Sequence, residues 1–231
     1  MQAKEIKDKL RSLIKEASSI DPYLATRLDE INRWIKDTKP GSLTAKKFVI
    51  LFLIQIIRDA DVLLKVKSLP SEQEQQLAFN ELSPTLKYWY SHLLPKWLSK
   101  NDPKFNIWRQ KLMAGEFNQE DANLIDVIGN SVKLRGGTFV QRYVADLSMA
   151  TDIIVNGKEE KPLCIQLTSL SNKFFEEKFN EWESTLLFWQ IERGFFLSYD
   201  PRKKDFVNEI VNLAMDNSER LKIGIYLKFN L

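Results

Sequence analysis

The stretch of this chain whose residue types suit chemistry is "DIIVNGKEEKPLCIQLT", Asp152–Thr168. An acid opens the first apolar run, and Gln166 stands 14 residues later in the second. Asn156-Gly157 between them is a turn signal, so the two runs read as an antiparallel hairpin. An acid at the start of one strand and an amide on the next can face the same point. Hydrolysing a phosphodiester with Mg²⁺ needs hard oxygen ligands on such a rigid frame, with a cation nearby to orient water and stabilise charge. Alternation along "LCIQLT" puts Cys164, Gln166 and Thr168 on one face and Leu163, Ile165 and Leu167 on the other. A half-exposed structural strand shows the same alternation. Asp152 would then be a strand-start acid satisfied by backbone N–H groups or by Arg142, and Gln166 an amide hydrogen-bonded in a polar corner.

Several other chemistries drop out. The chain has no G-x-x-x-x-G-K-[ST], no G-x-G-x-x-G and no G-x-S-x-G. Its one cysteine, Cys164, and one histidine, His92, are far apart, which removes a zinc cluster. His92 lies in the helical run "YWYSHLLPKW" and reads as helix surface rather than as the base of a triad. Tyr88, Trp89, Tyr90 and Trp97 in that run are spaced as core. Their exposed alternative is a surface for stacking bases or docking a protein. "RGG", Arg135–Gly137, is a phosphate contact at a helix N-terminus or simply a capped helix start.

The elements that must position these residues follow from periodicity. The 231 residues are 44% hydrophobic and 11% aromatic, enough for a substantial core, and carry a formal net charge of only +3. Residues 1–130 read as a helical region. Ile6, Leu10, Leu13, Ile14 and Ala17 share one face, and Asp21-Pro22 starts a second helix. A long apolar helix spans about Leu43 to Lys67, with further helices at Glu72–Phe79, Thr85–Leu98 and "KFNIWRQKLMAG". "NQEDANLIDVIGN" is another, capped at Asn118 and ended by Gly129-Asn130. The run "FVILFLIQII" is too short to span a membrane, which takes about 20 apolar residues. With a charged N-terminus and a single cysteine, the expected setting is cytoplasmic, without membrane partners.

Residues 131–231 read as an α/β core. Thr138 and Gln141 suggest a capping box with a helix after it, while the β-branched and aromatic run Phe139–Ala145 also suits a strand. After the hairpin, Phe175, Phe179, Trp182, Leu186 and Trp189 mark an amphipathic helix that Gly194 ends. "FFLSY", a helix at Asp205–Asn217 and "KIGIYLKF" complete a three-layer α/β pattern. Over Ser131–Lys204 there are 11 Lys/Arg and 10 Asp/Glu, a balance that does little to attract phosphates.

This order of elements resembles the PD-(D/E)xK nuclease-like, or restriction-endonuclease-like, superfamily, from about Asn118 or Gly137 to Tyr199. That core is a helix, a three-strand meander, a helix and a further strand. The resemblance puts the family's aspartate at Asp152 and its acid-x-lysine at Gln166 and Thr168. Some members, the Mrr-like branch among them, carry glutamine at the first of these; Thr168 departs from the lysine. A lysine moved onto the following helix would be Lys173 or Lys178, with Lys161 more distant, and a glutamate before the meander would be Glu120. The implied activity is metal-dependent cleavage of DNA or RNA. Asp152, Gln166 and Glu120 would hold Mg²⁺, with Asp152, Gln166, Lys173 and Lys178 as the catalytic set. Two alternatives stand beside it. One is a catalytically inactive binding or assembly module of that fold. The other is a helical interaction protein using the tryptophan-rich helices, Trp89 through Trp108.

Overall fold

Apolar residues three and four apart bury one side of each of the first two helices in a computed structural model of the chain. It describes residues 1–36, 38–39, 42–43, 45–115, 120–159, 161–169 and 175–231, at 120–122 by backbone alone. Two compact units emerge, Met1–Glu81 with Leu94–Phe117, and Leu82–Leu93 with Asn118–Leu231.

In the first unit, α1 (Ala3–Ile20) buries Ile6, Leu10, Leu13 and Ala17, with Ile14 only partly covered. α2 (Pro22–Lys36) starts as its sequence predicts. Asp21 Oδ1 accepts the Tyr23 and Leu24 N–H groups at 3.1 Å, two donors that the first helical turn leaves without partners. α3 (Lys47–Lys67) is apolar nearly all round and buries Phe52, Leu53, Ile56, Leu63 and Leu64; it begins at Lys47, four residues later than expected. Among the described residues no helix is long and apolar enough to cross a membrane. α4 (Glu72–Asn80) is capped by Ser71, whose hydroxyl accepts the Glu74 N–H. The second unit takes the short α5 (Pro84–Tyr88) and the π-helical turn Trp89–Leu93, while α6 (Leu94–Ser99) and α7 (Phe105–Ala114) belong to the first.

Trp89, Tyr90, Trp97 and Trp108 are each at most 4% exposed. The tryptophan-rich helices therefore do not present these rings as a contact surface for a protein or for bases; the aromatics are core.

The second unit is mixed α/β. α8 (Glu120–Leu134) leads into β1 (Thr138–Val140), α9 (Tyr143–Met149), β2 (Ile153–Asn156) and β3 (Leu163–Thr168). α10 (Phe175–Trp189), β4 (Arg193–Ser198), α11 (Phe206–Arg220) and β5 (Ile225–Asn230) follow. The five strands lie in chain order, β1 to β3 antiparallel and β3 to β5 parallel. One sheet face, with Ile153, Val155, Ile165, Phe195 and Leu197, packs on Ile128 and Val132 of α8 and Ile210 and Ala214 of α11. On the other, Phe196 packs against Phe175, Phe179 and Trp182 of α10. β4 and β5 are added in the same direction, yet α10 and α11 cover opposite faces. The two crossovers therefore have opposite hands, and one departs from the usual right-handed connection.

Several local expectations change. α8 runs through Gly129-Asn130, because Gly129 is where the Phe139 ring lies against the helix; a Cβ there would meet Phe139 Cζ at 2.1 Å. "RGG" ends a helix rather than starting one. The Gly137 N–H donates to Val132 O and the Gly136 N–H to Lys133 O, with Gly136 left-handed at φ 81°, the paired bonds of a Schellman cap. Thr138 is in β1, not a helix cap, and the helix and strand readings of the following run are both met in part, by β1 and α9. Gly194 does not end α10, which stops at Trp189; it lies within β4.

Candidate functional site

The β2–β3 ladder pairs Ile153 with Ile165, so one step further Asp152 stands opposite Gln166. The Asp152 N–H donates to Ile165 O at 2.9 Å. Its carboxylate Oδ2 accepts two donors, Gln166 Nε2 at 2.8 Å and the Leu167 N–H at 2.6 Å. Asp152 is 9% exposed and Gln166 half-buried. The two residues that the sequence singled out do converge, and they form a clasp.

The chain before Asp152 explains the clasp. α9 ends at Ala150, which is left-handed at φ 49°, and the Thr151 N–H returns to Ala145 O at 3.0 Å. α10 fixes this turn from the side: Trp182 Nε1 donates to Ala150 O at 3.0 Å and Trp189 Nε1 to Ser148 O at 2.8 Å. The Leu167 N–H lies beyond the last β2–β3 pair and donates to the Asp152 carboxylate instead of to a backbone carbonyl. Asp152 is therefore a strand-start acid that takes one backbone N–H, that of Leu167, and one side-chain amide, that of Gln166.

The other candidates stand as follows. Thr168, half-buried, is on the Gln166 face of β3 and pairs with Ser198 of β4. Lys178 is exposed on the first turns of α10 and pairs with Glu181 at 3.2 Å. Lys161 lies before β3, at the opposite end of that strand, and pairs with Glu159, whose carboxyl it holds below the usual range. Lys173 lies outside the described residues. Glu120 is the first residue of α8, with its side chain outside them. Arg142 donates to the Gln141 carbonyl, and its guanidinium lies 5.9 Å from the Trp89 ring centroid. The His92 ring stacks on Tyr88 at 4.9 Å, a helix-surface role.

Mg²⁺ wants near-octahedral oxygen ligands. Here the carboxylate oxygen that faces Gln166 already takes two N–H donors, whose positive ends would face a cation. Turning the Gln166 amide over would bring its carbonyl oxygen 2.8 Å from a carboxylate oxygen, two acceptors with no proton between them. Among the described residues no three His, Cys, Asp or Glu side chains gather as a metal site. As arranged, this donor set does not fit Mg²⁺.

Two buried arginines escaped the sequence reading, since a basic residue in a polar stretch reads as surface. Arg193, 5% exposed, opens β4 and ties the unit together. It donates to Lys161 O at 2.6 Å, and to Asn217 O at 3.0 Å and Ser218 O at 2.6 Å in the last turn of α11. Burial pushes its pKa down from the ordinary value. It lines a cavity of about 640 Å³ together with Tyr88, whose phenol burial pushes well up. Arg27, also 5% exposed, does similar work in the helical unit, donating to Glu30 at 2.6 Å and to the Trp97 and Lys100 carbonyls at 2.9 and 2.6 Å. Compared with known proteins, the chain matches no family model, no curated protein and no solved structure.

Proposed function

We propose that this chain is a catalytically inactive PD-(D/E)xK-like module, which binds or assembles on its target, DNA or RNA, without hydrolysing it. The order α8, β1, β2, β3, α10, β4 supports the fold reading, being a helix, a three-strand meander, a helix and a further strand. Two departures stand against it, α9 inserted between β1 and β2, and β5 added at the edge.

The observation that carries the proposal is the Asp152–Gln166 contact of 2.8 Å, at the start of the second strand and on the third. It supplies the family's convergence of two side chains. It also closes them on each other, with threonine at 168 and Lys178 engaged by Glu181. Metal-dependent cleavage of DNA or RNA phosphodiesters, the second reading, shares that convergence but requires the clasp to open.

The test is a cleavage assay on supercoiled DNA, single-stranded DNA and RNA with Mg²⁺ or Mn²⁺, with Asp152→Ala run alongside and binding read by fluorescence anisotropy. Binding without cleavage is the expected result. Metal-dependent cleavage that disappears in the variant would establish the nuclease reading instead, and absence of both binding and cleavage would remove nucleic acid as the target.

A further inference from the structure

The helical unit carries a cavity that the Asp152–Gln166 chemistry does not use. Its volume of about 540 Å³ is that of a small-molecule site, for which roughly 300–1,000 Å³ is usual. Walls come from α2, from residues 101–103 and from the start of α7.

The floor is locked. Arg27 is held by Glu30 and two carbonyls, lies 4.8 Å from the Trp97 ring centroid and has a buried Nε without a hydrogen-bond partner among the described residues. Asp102, 4% exposed, accepts both the Trp97 and Trp108 indole N–H groups on Oδ2, at 3.1 and 3.0 Å, and the Lys104 N–H on Oδ1. These side chains are committed and give the site rigidity.

The rim is not locked. Arg109 lies 5.9 Å from the half-buried Phe105 ring and has no carboxylate partner among the described residues. Trp34, half-buried, is braced edge-on by Trp108 at 5.9 Å and Phe52 at 6.0 Å. Asn101 and Asn106 are exposed, each with a donor and an acceptor on one planar amide.

We propose that this cavity binds a mononucleotide, free or at the end of a single strand. The base stacks on the Phe105–Trp34 wall, the phosphate takes the Arg109 guanidinium, and an asparagine amide reads the base edge. A bare phosphate ion is poorly served. Arg33, which also lines the cavity, pairs with Asp29 at 3.0 Å, so Arg109 is the lining arginine without a carboxylate partner among the described residues, and Glu30 and Asp102 line the cavity too. An uncharged nucleoside leaves Arg109 unused. Ring and charge are needed together. This inference does not depend on whether the α/β unit is catalytic.

Isothermal titration of the full chain with the four ribonucleoside monophosphates, adenosine, inorganic phosphate and a 5′-phosphorylated single-stranded decamer tests it. At least one monophosphate or the decamer saturates, with adenosine and phosphate on the order of tenfold weaker or more, the worth of one charge-assisted contact. Arg109→Ala weakens the nucleotide by about the same factor and leaves adenosine unchanged. Asn106→Ala weakens some bases more than others. Both side chains are at the rim, so a far-UV spectrum like that of the parent accompanies each variant. Binding of the decamer but not of free monophosphates identifies the strand end as the source. The proposal is overturned if neither saturates, if phosphate alone binds as well, or if Arg109→Ala binds undiminished.

Discussion

Replacing Asp152 with alanine separates a structural clasp from a metal ligand held in reserve. The carboxylate is 9% exposed and accepts from Gln166 Nε2 and the Leu167 N–H at 2.8 and 2.6 Å. A hydrogen bond to a charged group contributes about 1.5–3 kcal/mol, and a buried donor left unpaired costs a comparable amount. Water reaches the half-buried Gln166 in the variant and recovers part of this, so the loss expected for Asp152→Ala is about 3 kcal/mol. Asp152→Asn can place its amide oxygen where Oδ2 accepts both donors and gives up only the charge, for about half that loss. In a chain of this length 3 kcal/mol moves Tm by roughly 6–12 °C. Urea unfolding followed by both far-UV circular dichroism and tryptophan fluorescence reads the change, the two probes guarding against separate melting of the two units. Gln166→Glu belongs to the same experiment. It sets two carboxylates in contact, so at neutral pH it destabilises, and acid that supplies one shared proton restores the loss. An Asp152→Ala protein as stable as the parent, or more so, would refute the clasp. Ligand acids kept ready for an absent metal commonly behave that way, since function is held at a cost in stability.

Three further outcomes follow from the geometry. Gly129→Ala should destabilise by about 1–2 kcal/mol despite alanine's helix preference, because its Cβ meets Phe139 Cζ at 2.1 Å; in a Phe139→Ala background the same change should become neutral or stabilising by equilibrium unfolding. Burial first, then the nearby Cys164 and Glu192, holds the Tyr88 phenol well above its ordinary value of 10.0. The stability it contributes is present below pH 10 and lost as pH rises through the folded value, so alkaline difference absorbance should show a late tyrosinate step that Tyr88→Phe removes. If Tyr88 instead ionises with exposed tyrosines, the packing around it is wrong. Asp200 accepts from Arg202 Nε and Nη2, both at 2.9 Å, and its pKa is lowered to about 2. Its stabilising effect holds above the ordinary 3.8 and is lost as pH falls through about 2; Arg202→Ala should return the Asp200 carboxyl titration, followed by NMR, toward 3.8.

The spacing of apolar residues was enough to place α1, α2, the hairpin strands and α10, because a half-buried element must repeat with its own period. Asp21 was legible as a cap for a similar reason, since its donors are only two and three residues away. The pairing of Asp152 with Gln166 was legible too, because a short turn brings two known strands together. What their pairing means was not. Whether that acid faces a cation or two N–H groups depends on the left-handed turn at Ala150 and on Trp182, 32 residues away in sequence, which holds the Ala150 carbonyl. The aromatic run through Trp97 read as core, with a contact surface along the tryptophan-rich helices to Trp108 as its alternative; Asp102, taking both indoles inside the helical unit, decides for the core. Arg27 and Arg193 drew no reading from the sequence, and carbonyls 70 and 25 residues distant enclose them. Local periodicity and turn chemistry belong to the sequence, because they act over a few residues. The partners of a buried polar group are chosen by elements far apart in the chain, and only their packing decides them.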